Sequence, residues 1–204
     1  MKKCANCYWF NGENGDFIQF CDTHETDVYE EDYCYHWKEK ETKPKPKVIV
    51  INAMGGVGKS TFVSLCHEID PRVIETSTVD FVKEIALQAG WDGEKDEDGR
   101  RFLSDLKDAM ERYHDIPNKK VDEFIKSHPD NIIFVNAREP HNVEYYQNKY
   151  NARTVIVTNC NIKQIYGNHA DENVNNYDYD VVINNSGTLK DLKETAKWFL
   201  TNCL

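Results

Sequence analysis

Residues 48–65 read VIVINAMGGVGKSTFVSL, and this stretch decides the fold. Its first four residues are β-branched and apolar, as expected for a strand that is buried on both faces of a sheet. Three glycines follow within four positions, and Lys59, Ser60 and Thr61 then lead into an apolar helical segment. The stretch therefore predicts a strand, a glycine-rich turn and a helix in direct succession.

The residue types in this turn are those that a bound phosphate requires. Glycines let consecutive backbone N–H groups point inward around phosphate oxygens, and the helix N-terminus adds more N–H groups and the positive end of its dipole. The order of strand, turn, Lys-Ser/Thr and helix is that of the P-loop, although Ala53 stands where the motif usually has its first glycine. The motif predicts that Lys59 reaches the β- and γ-phosphates of a nucleoside triphosphate and that the Ser60 hydroxyl ligates Mg²⁺. The predicted phosphate-binding residues are Gly55, Gly56, Val57, Gly58, Lys59, Ser60 and Thr61.

Beyond the loop, short apolar runs alternate with amphipathic segments of helical period. Such alternation predicts an α/β domain with helices on both faces of a five-stranded parallel sheet, the three-layer architecture of P-loop NTPases. The predicted strands cover residues 48–51, 72–75, 132–135, 154–157 and 180–183. The predicted helices cover residues 60–69, 79–89, 98–113, 118–127, 140–149 and 188–202.

The composition divides the chain into three parts. Residues 1–37 carry two basic and eight acidic side chains and many aromatic but few aliphatic ones. Residues 38–47 alternate lysine with proline, which favours an extended tether. We therefore predict a Cys-rich module over residues 1–37, a linker over 38–47 and a P-loop domain over 48–204.

The amino-terminal module contains four of the seven cysteines, of which the first two form a Cys-x₂-Cys pair. Such a pair brings two sulfurs to one edge of a Zn²⁺ tetrahedron, and metal binding would supply the folding free energy that so few aliphatic residues cannot. An Fe–S centre uses the same ligands, His24 or His36 could replace a cysteine, and reduced thiols in a flexible segment are the plain alternative. The predicted structural zinc ligands are Cys4, Cys7, Cys21 and Cys34.

The net charge of the chain bears on which kinds of molecule it could bind. With 25 basic and 35 acidic side chains the formal charge is -10, which argues against binding nucleic acid through a general basic field. No apolar run approaches the roughly 18 residues of a membrane span, and the basic start lacks the apolar core of a secretory signal. We therefore expect a soluble cytoplasmic protein that binds small molecules.

Five further stretches share their order and spacing with a known family: residues 77–86 (STVDFVKEIA), 91–103 (WDGEKDEDGRRFL), 136–140 (NAREP), 169–172 (HADE) and 178–189 (DYDVVINNSGTL). With the P-loop, they make most of residues 48–204 resemble the nucleoside monophosphate kinase group, and most closely the deoxynucleoside monophosphate kinases of bacteriophages and their bacterial relatives. The resemblance implies a phosphotransferase that uses ATP and Mg²⁺ to phosphorylate a nucleoside or deoxynucleoside monophosphate, in a bacterial or phage-infected cell. Residues 1–37 resemble short Cys-x₂-Cys modules that end in an acidic run, which supports a metal but no activity.

Phosphoryl transfer needs cations around the reacting phosphates, and an acidic chain must supply them locally. Arg138 follows a predicted strand at the carboxyl edge, where α/β proteins bind ligands, and the resemblance implies that it binds the acceptor phosphate. Arg100 and Arg101 open a predicted helix and could clamp the same phosphate, or be solvated surface. Asp80 could accept a proton from the acceptor, contact a sugar hydroxyl or order Mg²⁺ waters, or be an ordinary helix-start carboxylate.

The resemblance places Asn185 and Gly187 in the loop that passes the adenine of ATP, and it matches His169 and Glu172 to a pair in the lid. The lid of the family usually supplies an arginine after the fourth strand, where this chain offers only Lys163. Two alternatives therefore stay open: a nucleotide-binding sensor or adaptor with negligible catalysis, and a kinase of another small phosphorylated metabolite. A protein partner for the amino-terminal module and a homodimer are open as well.

Overall fold

The computed structural model describes residues 19–21, 26–28, 46–94, 96–162, 174 and 177–204. The chain divides into two units, Met1–Pro44 and Lys45–Leu204. No helix in the described part of the chain is long and apolar enough to cross a membrane.

In the first unit, the structure describes a small antiparallel strand pair. Strand β1 (Gln19–Cys21) pairs with β2 (Thr26–Val28), so that Cys21 lies opposite Thr26. The other three predicted zinc ligands, Cys4, Cys7 and Cys34, lie outside the described residues. The zinc site therefore stays a prediction.

The second unit contains one parallel sheet and six described helices. Its strands are β3 (Lys47–Ala53), β4 (Val73–Ser77), β5 (Ile132–Asn136), β6 (Arg153–Thr158) and β7 (Val181–Asn184). The helices are α1 (Lys59–Ile69), α2 (Asp80–Gln88), α3 (Glu97–His114), α4 (Ile116–Ser127), α5 (Pro140–Tyr150) and α6 (Leu189–Asn202). The sheet order is β4-β5-β3-β6-β7 with every neighbouring pair parallel, which confirms the predicted α/β fold.

Strand β3 lies at the centre of the sheet and is buried on both faces. Ile49 and Ile51 pack with α1 and α6 in one hydrophobic cluster, whereas Val48 and Val50 pack with α4 and α5 in the other. Successive side chains of a strand point to opposite faces, so an unbroken apolar run is what a sheet between two helix layers requires. The result is three layers, and the carboxyl end of β3 opens into the glycine-rich turn.

Two features differ from the sequence-based expectations. Lys47, predicted as the last linker residue, begins β3, because its backbone N–H donates to the Asn131 carbonyl (3.2 Å) and the residue pairs in register with Ile132. Helix α3 forms as predicted and its sequence has helical period, but Gly99 is its only buried residue and none of its apolar side chains belongs to either hydrophobic cluster.

Candidate functional site

The turn between β3 and α1 has the backbone geometry of a phosphate-binding loop. Gly56 and Gly58 adopt positive φ angles of 80° and 96°, in the left-handed region that side chains disfavour. Gly58 is the N-cap of α1 and makes no side-chain cap hydrogen bond. The first N–H groups of a helix have no intrahelical partner, so those of Lys59, Ser60 and Thr61 are available to an anion.

The Lys59 side chain extends from the start of α1 toward the end of β5. Its Nζ donates a hydrogen bond to Oδ1 of Asn136, and Asn136 Nδ2 donates to a carboxylate oxygen of Glu75 on β4 (3.3 Å). This chain of bonds links the start of α1, the carboxyl end of β5 and the middle of β4, the strand that pairs with β5. It holds the Lys59 amine beside the glycine-rich turn.

Charged neighbours and burial perturb this amine. Burial, and then the positive charge of Arg138, lower the pKa of Lys59 to about 8, while the carboxylates of Glu75 and Asp80 act in the opposite direction. The structure thus brings Arg138 and Asp80, two residues singled out from the sequence, into the electrostatic environment of Lys59. Two cations held together in this way favour an anion between them.

The position of Arg138 depends on a buried asparagine. Asn52, with 1% of its surface exposed, donates through Nδ2 to the Arg138 carbonyl (3.1 Å) and to the Tyr179 hydroxyl oxygen (2.7 Å). Its Oδ1 accepts from the backbone N–H of Ala53 (2.9 Å). Asn52 therefore fixes the backbone from which the exposed Arg138 side chain projects.

The remaining predicted acidic and basic residues lie near the starts of α2 and α3. Asp80 is the first residue of α2 and pairs with Lys83 one turn later (3.1 Å). Arg101 pairs with Asp98 on the same helix (2.7 Å), and 66% of its side chain is exposed. Arg100, also exposed, lies one residue before it. The described ion pair of Arg101 is thus local to α3.

The loop after β7 contacts the glycine-rich turn directly. Asn185 Nδ2 donates to the Val57 carbonyl (2.8 Å), and the Asn185 amide fills the space beside Gly58. Gly187 lies just before Thr188, whose side chain caps α6. The structure thereby places Asn185 against the turn and Gly187 just before the start of α6.

Sequence reasoning assigned no role to Asn52 or Asn136, which position Arg138 and Lys59. Each interrupts an apolar run at the carboxyl end of a buried strand. A polar residue at such a position is costly to bury unless its side chain is bonded, and that is the signal that could have found both. The lid residues Lys163, His169 and Glu172 lie outside the described residues.

Comparison with known proteins bears on the fold. No model of a known protein family matches the chain, and no curated protein matches it. Among solved structures, a protein of Thermus thermophilus has a TM-score of 0.51 and 13% identity, covering 78% of this chain and 99% of its own. The shikimate kinase of Aquifex aeolicus (TM-score 0.45, 10% identity, 76% and 97% covered) and a sugar kinase of Janibacter (0.41, 12%, 76% and 95%) are also similar.

The five-stranded order, the loop geometry and the Thermus match agree. The domain has the P-loop NTPase fold. At this level of identity the likeness concerns the fold, so the chemistry of the P-loop site rests on the residues described above.

The close fit between the P-loop and Asn185 leads to a stability prediction for Gly58→Ala. A non-glycine residue at positive φ costs about 1–2 kcal/mol, and the new methyl must also displace the Asn185 amide. The matched control is Gly90→Ala, since Gly90 has a φ of 99° and nothing within 4 Å of an added Cβ. Urea denaturation should show a clearly larger loss of unfolding free energy for Gly58→Ala than for Gly90→Ala. Equal losses would mean that Asn185 is not tightly placed against the P-loop.

Proposed function

We propose that the protein transfers the γ-phosphoryl group of ATP, with Mg²⁺, to a nucleoside or deoxynucleoside monophosphate. The observation that carries the proposal is the hydrogen bond from the Lys59 amine of the P-loop to Asn136 at the end of β5, two residues before Arg138, whose charge helps to lower the pKa of that amine. One cation belongs to the P-loop and the other to a neighbouring strand end. A donor phosphate and an acceptor phosphate between them would bring negative charge to both, as in-line transfer requires.

The roles that we propose for the individual residues are those predicted from the sequence. The N–H groups of the P-loop and the Lys59 amine bind the β- and γ-phosphates, while Asn185 and Gly187 border the adenine. Arg138 holds the acceptor phosphate, and Arg100 and Arg101 approach it from α3. Asp80 accepts the proton of the acceptor or contacts its sugar.

The oxygen donors near Lys59 fit Mg²⁺, which prefers hard oxygen ligands. The Ser60 hydroxyl lies on the exposed first turn of α1, and the Glu75 and Asp80 carboxylates both lie near enough to raise the pKa of Lys59. Ser60 would ligate the ion directly, and Asp80 would order its water ligands. The bound ion would neutralise charge on the transferred phosphoryl group.

A coupled assay of ADP release tests this function. Wild-type protein with ATP and Mg²⁺ is given a panel of ribo- and deoxyribonucleoside monophosphates, with shikimate and a free sugar as acceptors that carry no phosphate. Release that depends on a monophosphate is the expected result. ADP release that only another phosphorylated metabolite stimulates would show that the protein is a kinase whose acceptor is not a nucleoside monophosphate.

A second candidate function is a nucleotide sensor or adaptor that binds ATP without turnover. It is favoured by one observation, that the chain has no arginine after Arg153, so none lies in the lid segment that follows β6. Loss of a charge-stabilising arginine commonly costs orders of magnitude in rate. Tight ATP binding without ADP release for any acceptor would support the sensor, with the amino-terminal module as the surface for a protein partner.

The lowered pKa of Lys59 predicts a pH dependence of ATP binding. Phosphate needs the protonated amine, and in the free protein that form is lost as pH rises through about 8. Affinity for MgATP should therefore fall above pH 8, by up to about tenfold per pH unit. Lys59→Ala should bind weakly with little dependence on pH between 7 and 9.5, measured by calorimetry. A wild-type affinity that is constant over this range would contradict the role of Lys59.

For the amino-terminal module we propose a structural zinc site formed by Cys4, Cys7, Cys21 and Cys34. Purified full-length protein is expected to carry about one Zn²⁺ per chain by elemental analysis, because four thiolates complete a closed tetrahedral site. The double variant Cys4→Ser/Cys7→Ser should lose the metal, whereas Cys160→Ser, an exposed cysteine outside the module, should keep it. Detection of iron together with absorption of visible light would show that the module holds an Fe–S centre instead of zinc. Freely titrating thiols without metal would contradict the site.

A further inference from the structure

Helix α3 carries an apolar stripe that the described part of the chain leaves partly uncovered. Phe102 is 40% exposed and Tyr113 is 70% exposed, with Leu106 and Ala109 between them. Their spacing of four, three and four residues places them in one line along the helix, as in the seam of a coiled coil. We call these four residues the α3 stripe.

Another face of α3 is firmly attached to the domain. Lys107 and Glu111 form an ion pair (2.6 Å) with only 13% and 17% of their side chains exposed. Glu111 also accepts a hydrogen bond from Asn142 on α5 (3.2 Å), and Asn118 on α4 donates to the Asn142 side chain (2.7 Å). These bonds fix the rotation of α3 about its axis. The exposure of the stripe is therefore a consequence of how the helix is anchored.

Two unpaired charges border the α3 stripe on its solvent side. Asp105 and Arg112 are exposed, lie seven residues apart and form no ion pair with any residue that the structure describes. Two pairs of charges on the same helix do form ion pairs, Asp98 with Arg101 and Lys107 with Glu111. In the coiled-coil repeat, Asp105 and Arg112 occupy the same flanking position, which faces its counterpart when two helices run antiparallel.

We propose that the α3 stripe is a dimerisation surface, on which α3 pairs antiparallel with α3 of a second copy of this chain. In this arrangement Phe102 meets Tyr113 of the second copy, and Leu106 meets Ala109. Asp105 then faces Arg112 of the second copy, and two-fold symmetry makes this ion pair twice.

Self-complementarity is the reason to choose a second copy over an unrelated partner. The two aromatic residues lie at the ends of the stripe and the smaller ones at its centre. When two copies run antiparallel, each large side chain therefore meets a large one and each smaller side chain meets a smaller one. In the same antiparallel register, the negative Asp105 of each copy faces the positive Arg112 of the other. An 18-residue helix is about 27 Å long, so one helix pair buries less than the ~1,600 Å² of a standard interface. The dimer should therefore be weak and depend on concentration.

Sedimentation equilibrium of the full-length protein tests the proposal without reference to ATP or an acceptor. We expect a monomer–dimer equilibrium in the micromolar range. Asp105→Arg and Arg112→Asp each place two like-charged pairs in the interface and should each raise the dissociation constant about tenfold or more. The double variant Asp105→Arg/Arg112→Asp restores opposite charges and should return the constant to within about threefold of wild type. Asp108→Arg, the same change of charge on the same helix outside the stripe, should have no effect.

Circular dichroism of each variant separates loss of pairing from loss of folding, and all the substituted positions are exposed. A monomer at every concentration up to several hundred micromolar would overturn the proposal. It would do so whatever covers the stripe instead, residues 1–44 of the same chain included. A dimer that ignores both charge reversals would also overturn it, as would a double variant as weak as the singles. None of these outcomes bears on phosphoryl transfer, which the ADP assay tests separately.

Discussion

Replacing Lys59 by alanine is expected to lower kcat/KM for phosphoryl transfer by at least about a hundredfold and to weaken binding of MgATP. The amine is the only lysine on the P-loop, and it is held beside the loop by Asn136. Thermal stability should be unchanged or slightly higher, because alanine favours the start of α1 and the burial that lowers the pKa of the amine is relieved. Steady-state kinetics and a melting curve on the same preparation measure both effects.

The control for this variant is Lys197→Ala, which removes an exposed lysine that pairs with Glu194 on α6. It should leave kcat/KM within about twofold of wild type, since exposed ion pairs contribute little. Normal binding and turnover by Lys59→Ala would contradict the assignment of the P-loop as the triphosphate site. A loss of folding would leave the calorimetric pH dependence of the wild-type protein as the test of Lys59.

Replacing Arg138 by alanine is expected to impair use of the acceptor far more than binding of ATP. If the guanidinium contact strengthens in the transition state, the loss in kcat/KM for the monophosphate should be about 2–4 kcal/mol. Arg138→Lys should recover only part of it, because an ammonium keeps the charge but not the two-pronged geometry. Initial rates with each substrate varied in turn distinguish the two substrates.

Arg153→Ala is the matched control for Arg138→Ala. Arg153 is exposed and begins β6, so it lies at the amino-terminal ends of the strands, away from the carboxyl ends where Arg138 lies. It should change neither substrate's kinetics by more than about twofold. Equal losses for ATP and the acceptor in Arg138→Ala would move Arg138 out of the acceptor role and toward the triphosphate.

The strands were predictable because β-branched runs identify segments buried on both faces. The apolar run of β3 ends at Ile51, yet the strand continues through Asn52 and Ala53, which pair with Ile156 and Val157 of β6. The pattern of side chains could not show this extension, since ladder hydrogen bonds belong to the backbone and depend on the neighbouring strand. Strand ends are therefore where the sequence was least informative.

The candidate site likewise has a part that could be predicted from the sequence and a part that could not. The spacing of glycines around Lys59 is a local signal, so the turn could be recognised without any knowledge of the fold. The bond from Lys59 to Asn136 joins residues 77 positions apart, and it exists because β5 happens to be the neighbour of β3. Asn52 and Arg138 meet for the same reason. Strand order, which no local pattern encodes, turns separate motifs into one site.

The exposed stripe of α3 could not have been predicted from periodicity either. Apolar residues at helical spacing usually indicate the face that enters the core. Here the polar pair of Lys107 and Glu111 is turned toward the domain and bonds to Asn142, so the aromatic residues Phe102 and Tyr113 point away. Which face of an amphipathic helix is buried depends on the partners that its polar residues find.

The most direct test of the proposed reaction is a single-turnover experiment with the protein in excess over γ-labelled ATP. An excess of protein reveals even a slow transfer, so a lid without arginine does not hide the chemistry. With one or more deoxynucleoside or nucleoside monophosphates present, the label should appear in the corresponding diphosphate, and Lys59→Ala should abolish its appearance. Label that stays in ATP, or appears only as inorganic phosphate whatever the acceptor, would contradict a nucleoside monophosphate kinase.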